Sequence, residues 1–91
     1  MLHAIAFDIT DNKRRYQVNK VLLRYGTRVQ KSVFEAHITQ KQLETIKQKL
    51  WQVIDPTTDS LRYYNLGDVW RDRVTIQGTS ELIPELEYIV V

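Results

Sequence analysis

Strand, helix, strand, strand, helix, strand is the order of elements this sequence predicts, and it corresponds to an α+β, ferredoxin-like βαββαβ sandwich with two helices on one face of an antiparallel sheet. Three observations carry that prediction. The chain opens on an apolar run without Gly or Pro, two later segments repeat apolar residues at helical spacing between clear start and stop signals, and β-branched runs lie between and after them.

The opening run, Leu2 to Phe7, reads as a central strand covered on both faces, and it ends abruptly at Asp8, three residues before Asp11. A carboxylate at the mouth of a buried strand must find water, a donor or a cation, because an unpaired buried charge is costly. Asp8 is therefore either a cap for the following turn or the centre of a site. Asp11 is a good N-cap, and Val18, Val21, Leu22 and Tyr25 give the stripe of a first helix over Asn12 to Tyr25, with Gly26 as its left-handed stop. Lys13, Gln17, Lys20 and Arg24 fall together on the solvated face of that helix. Three consecutive cations, Lys13, Arg14 and Arg15, oppose the helix dipole at its start, and a local rule broken in one place marks a candidate site. Arg forks and backbone amides beside a carboxylate suit a phosphate group with a bridging cation.

Residues 27–38, TRVQKSVFEAHI, are divided by Ser32 into two strands or one bent strand, over Arg28 to Lys31 and Val33 to Ile38. Thr39 and Gln42 form a capping box for a second helix, Gln40 to Ile54, with Leu43, Ile46 and Leu50 as its stripe and Asp55-Pro56 as its stop. Leu61 to Leu66 is the fourth strand, with Leu61 and Tyr63 on one face and Tyr64 and Leu66 on the other. A fifth short strand follows over Arg73 to Gln77, and Leu82 to Val91 is an apolar tail whose neighbourhood carries Glu81, Glu85 and Glu87 but no cation. One domain over 1–91 is expected, with a core over about 1–66 and an extension over about 67–91 exchanged with a second protomer by sheet-edge addition.

The 91 residues include no cysteine and only two histidines, His3 and His37, which excludes disulfides, thiol nucleophiles and thiolate zinc. Any metal would be held by oxygen ligands, which suits Mg²⁺ or Mn²⁺. No apolar run approaches the length of a membrane span and no signal peptide opens the chain, so a cytoplasmic protein without membrane association is expected. Net charge is only +2 but uneven: residues 1–31 carry seven cations against Asp8 and Asp11, and the rest carry six against nine acidic residues. A basic half backed by an acidic half fits a polyanion-binding face. His3 reads as a satisfied core or interface histidine, Trp51 and Trp70 as packing residues, and Tyr16 and Leu23 as isolated surface side chains or a weak contact site.

Phe7-Asp8-Ile9-Thr10-Asp11 followed by Lys13-Arg14-Arg15, then Leu23-Arg24-Tyr25-Gly26, Arg28-Val29-Gln30 and Ser32-Val33-Phe34-Glu35, together resemble the CRISPR-associated protein two family over residues 1 to about 66. Phe7 stands where that family more often has Tyr. The resemblance implies a ferredoxin-like homodimer in which Asp8 from both protomers holds a divalent cation across the two-fold axis. It implies a metal-dependent endonuclease of the spacer-acquisition stage, acting on single-stranded RNA or double-stranded DNA, with Asp8 catalytic. Arg14, Arg15, Arg24, Arg28 and Lys13 would bind nucleic acid, and Thr10, Asp11, Ser32 and Phe34 would support the site. It also implies a bridging role beside the CRISPR-associated protein one integrase. No histidine or lysine base is apparent beside Asp8, so two alternatives stay open: a non-catalytic nucleic-acid scaffold and a toxin-type ribonuclease of the same fold. A sheet-face RNA reader would want an aromatic-glycine signature, which Val33-Phe34-Glu35-Ala36 lacks.

Overall fold

The computed structural model describes residues 1–67, with Thr75 and Gln77, and contains β1 (Leu2–Asp8), α1 (Asn12–Leu22), β2 (Thr27–Gln30), β3 (Val33–His37), α2 (Gln40–Val53) and β4 (Ser60–Gly67). The four strands form one antiparallel sheet in the order β2-β3-β1-β4, so β1 is central and the predicted βαββαβ sandwich stands. Register follows from the two-residue period of a strand. Ile5 pairs with Phe34 and Tyr63, and Phe7 with Leu61, on the face that packs against the helices. Ala4 pairs with Glu35 and Tyr64, Ala6 with Val33 and Arg62, and Asp8 with Ser60, on the opposite face.

The core joins Ile5, Phe7, Ile9, Phe34, Ala36 and Ile38 of the sheet side to Val18 and Leu22 of α1 and Leu43, Ile46 and Leu50 of α2. Coverage of both faces of β1 is not what the described residues show: Ala4 and Ala6 are only half-buried, because both helices pack on the other side. Leu2 and His3 are buried at the strand's start, beside a break in its register with β4. Burial, opposed by a weaker pull from the Met1 backbone, holds the His3 pKa below the ordinary value. His3 is buried in the core, and neither ring nitrogen makes a well-formed hydrogen bond among the described residues.

Helix α1 starts where predicted, with the Asp11 side chain accepting from the Arg14 backbone N–H at 2.9 Å. It ends at Leu22 rather than Tyr25, and residues 23–25 form a closing turn. Gly26 is not a left-handed stop. Among the described residues only Gly67, at the end of β4, has positive φ, 75°. Gly26 is needed for close approach: a Cβ there would fall on the Glu35 carbonyl oxygen and 2.8 Å from the Ala36 Cβ of β3.

Helix α2 carries both halves of its capping box. The Thr39 hydroxyl accepts from the Gln42 N–H at 3.1 Å, and the Gln42 side chain accepts from the Thr39 N–H at 2.9 Å. Thr39→Ala is expected to cost about 1 kcal/mol in denaturant unfolding, with Thr39→Ser recovering most of it. The helix ends in extended backbone at Ile54, two residues before Pro56. Trp51 is 60% exposed, which corrects its reading as a packing residue: it projects from α2 away from the Leu43, Ile46, Leu50 stripe. Tyr16 and Leu23 are exposed as expected. Of the strand expected over 73–77, Thr75 and Gln77 are described and neither is in a strand. Trp70, the tail and its exchange lie outside the described residues.

Candidate functional site

Asp8 is the last residue of β1 and is exposed, while its neighbours Phe7 and Ile9 are buried. Alternation explains the placement, since Phe7 and Ile9 point to the helices and Asp8 must point the other way. The strand end is fixed from two sides. The Phe7 N–H donates to the Ser32 carbonyl at 3.0 Å, and the Phe7 and Phe34 rings stack with centroids 6.3 Å apart. Ser32 and Phe34 thus support the site from below, Phe34 as a fully buried core residue. Asp11 contributes by capping α1, and Thr10 is exposed in the connecting turn.

Two depressions meet at Asp8. One, of about 270 Å³, lies on the open sheet face and is bounded by Ser60, Arg62 and Tyr64 of β4. The other, of about 170 Å³, lies over the strand end and is bounded by Arg15, Lys31 and Ser32. A carboxylate flanked by serine hydroxyls is an oxygen donor set, the chemistry that a hard divalent cation prefers. Among the described residues that bound the two depressions, Asp8 is the one carboxylate.

The predicted cations divide. Arg14 is held by the loop before β4, where its Nε donates to Asp59 at 2.8 Å and its Nη2 at 3.4 Å. The Asp59 side chain is fully enclosed and also accepts from the Asp55 N–H at 2.9 Å, so it ties the start of α1 to the α2–β4 loop. Arg15 stays at the site, with Nη1 donating to the Ile9 carbonyl at 3.1 Å and Nη2 to the Asn12 side-chain oxygen. Lys13 is exposed in the first turn of α1. Arg24 and Arg28 are not brought to Asp8: Arg24 follows the far end of α1, beside Gln52 and Val53, and Arg28 is on the edge strand β2. Lys31, Ser60, Arg62 and Tyr64 are site neighbours that the sequence reading did not assign. Strand alternation held the signal for the last two, because Leu61 and Tyr63 facing inward forces Arg62 and Tyr64 outward. Lys31 bounds the depression over the strand end.

The Arg14 guanidinium holds the Asp59 carboxyl below its ordinary value of 3.8, against the opposing effect of burial. The Thr57 hydroxyl and N–H lower Asp55 likewise. A carboxyl depressed in the folded state favours folding above the ordinary value, and that contribution is lost as pH falls through the folded value. Stability measured from about pH 5 to about pH 2 is therefore expected to fall less steeply in Asp59→Asn than in the parent chain.

A ferredoxin-like βαββαβ domain with one exposed carboxylate at the end of its first strand and a basic rim defines the class of this protein. The family model for CRISPR associated protein Cas2 matches residues 1–74, and the chain belongs to that family. It is 44% identical over 78 residues to the CRISPR-associated endoribonuclease Cas2 3 of Chloroflexus aurantiacus, covering 86% of this chain and 84% of that protein. The crystal structure of Streptococcus pyogenes Cas2 superposes with a TM-score of 0.77 at 40% identity, covering 86% of this chain and all of that one. A chain of a partial Cas6-RT-Cas1–Cas2 complex superposes with a TM-score of 0.70 at 29% identity, covering 82% and 88%.

Proposed function

We propose that this chain is a metal-dependent endonuclease of CRISPR spacer acquisition that cleaves phosphodiester bonds as a homodimer, with Asp8 of each of two copies holding one Mg²⁺ or Mn²⁺. The observation that carries the reading is the exposed Asp8 carboxylate, set between serine hydroxyls and cationic side chains in a chain of this family. The name of the Chloroflexus relative supports RNA as the substrate. When bound, the cation would lower the pKa of a bound water and neutralise charge at the scissile phosphate. The chain's own residues do the rest. Asp8 would hold the cation, Ser32 and Phe34 fix the strand end that carries it, and Arg15, itself anchored on the Ile9 carbonyl, would present positive charge to phosphate oxygens. No helix of the described residues is long and apolar enough to cross a membrane, and the proposed place of action is the cytoplasm.

The test is cleavage of short single-stranded RNA and of duplex DNA by purified protein in Mg²⁺, in Mn²⁺ and in EDTA, with light scattering for the dimer. Cleavage that persists unchanged in EDTA overturns the metal-dependent reading, and a monomer overturns the paired carboxylates. A second reading, a non-catalytic bridge to the Cas1 integrase, is favoured by the likeness to a chain of a Cas1–Cas2 complex and by the lack of a histidine beside Asp8 among the described residues. It predicts co-elution with the integrase that is indifferent to Asp8.

A further inference from the structure

The site at Asp8 makes no use of Trp51, which stands 60% exposed on α2. A lone exposed tryptophan needs no explanation, but this one lies in a row of depressions. The first, of about 450 Å³, lies between α2 and β4, with Trp51 and Lys47 on its helical side and Leu61 and Tyr63 on its sheet side. The second, of about 340 Å³, shares Lys47 and Trp51 with the first and adds Gln48 and Gln52. The third, of about 420 Å³, shares Gln52 with the second and reaches Lys20 and Arg24 at the end of α1. Together they form a trough over the outer side of the helices. The sheet face that carries Asp8 and Arg62 is on the other side, so a mate that meets this chain through Asp8 leaves the trough uncovered.

The charge of the trough is one-sided. Lys20 and Arg24 are exposed and have no hydrogen bond or ion pair among the described residues. Lys47 lies 5.4 Å from the centre of the Tyr63 ring and meets Glu44 only at 3.9 Å, an exposed pair that a phosphate would readily displace. Among the described residues no carboxylate bounds the second or third depression. Asp59 bounds the first, but its side chain is enclosed and held by Arg14. An indole between cations, with carboxamides beside it and no free carboxylate to repel phosphate, has the composition of a single-strand platform: a base stacks on the ring while the cations follow the backbone.

We propose that Trp51 stacks a base of single-stranded nucleic acid, with Lys47 on one side and Lys20 and Arg24 on the other taking its phosphates. The inference does not rest on the cleavage reading, because none of these residues bounds the depressions at Asp8.

Binding is read at the site itself. In Trp70→Phe the indole of Trp51 is the only one left, and its fluorescence is followed in EDTA as a short single-stranded RNA is added. The RNA is expected to quench it, and adding Asp8→Asn to that background is expected to leave the titration unchanged. Anisotropy of the labelled RNA in EDTA then compares the parent chain with Trp51 variants: Trp51→Ala and Trp51→Leu are expected to bind about tenfold more weakly, and Trp51→Phe to recover part of the loss. Each of Lys20→Ala, Arg24→Ala and Lys47→Ala is expected to lower the slope of log affinity against log salt by about 0.7. Lys41→Ala, in the first turn of α2 and outside the trough, keeps the parent slope. An unquenched Trp51, full affinity in Trp51→Leu, or a slope that falls as far in Lys41→Ala overturns the proposal. So does an indole that acrylamide cannot reach before RNA is added, because another part of the protein then already fills the trough. Loss of integrase co-elution in Trp51→Ala with RNA binding intact overturns it in favour of a protein partner.

Discussion

Asp8→Asn is expected to reduce metal-dependent cleavage by about 100-fold or more, the range over which a bound cation stabilises charge in such a transition state. Asn has nearly the shape of Asp but contributes a neutral amide, so the change removes the charge that holds the ion and little else. The fold is expected to be unaffected, since Asp8 is exposed and makes no hydrogen bond among the described residues. Thermal unfolding and light scattering should superpose on those of the parent protein. Metal titration gives a second readout: half-maximal activity in Asp8→Asn should require far more Mg²⁺ than in the parent, if any activity is recovered. Cleavage that survives both the substitution and EDTA would place the activity elsewhere in the preparation or in the chain. If cleavage is absent from the parent too, and integrase association is untouched by the substitution, the bridging reading is left in possession of the fold.

Most of the architecture was legible because each element carried its own signal. The Thr39-Gln42 box, the Asp11 cap and the Leu43, Ile46, Leu50 stripe each fixed a boundary or a face that the coordinates reproduce. The carboxylate at the end of β1 was legible for the same reason, because an apolar run cannot continue through Asp8. What the sequence could not reveal was the fate of individual cations. Arg14 and Arg15 are adjacent and chemically identical, yet one serves an enclosed carboxylate 45 positions away and the other stays beside Asp8. That difference depends on where the α2–β4 loop closes, a long-range fact with no local pattern. Lys31 and Arg62 were hidden likewise: each is one charge among many until the sheet brings the β2–β3 turn and β4 to either side of β1. Trp51 deceived in the opposite sense, because composition suggests burial for a tryptophan while its position on α2 faces water.

Gly26→Ala is expected to be the most damaging small substitution in the described residues for the fold itself, at about 3 kcal/mol or more. The usual account of a glycine after a helix is conformational freedom, and on that account alanine would cost only about 1–2 kcal/mol. Gly26 does not have positive φ, so that account does not apply. Its N–H closes the last turn onto the Leu22 carbonyl at 3.0 Å while its Cα lies against β3, where an added methyl would meet the Glu35 carbonyl oxygen and the Ala36 Cβ. Neither neighbour is the free end of a flexible side chain. Relief requires moving α1 away from the sheet or breaking the pairing of β3, and both routes open the cluster around Val18, Leu22 and Phe34. Gly67→Ala is the comparison, because its positive φ confers only a backbone penalty of about 1–2 kcal/mol. Urea unfolding should therefore rank the parent above Gly67→Ala and Gly67→Ala above Gly26→Ala. The reverse order would mean that α1 can recede from β3 cheaply, and that the end of β1 is held less firmly by its neighbours than the packing of Phe7 on Phe34 indicates.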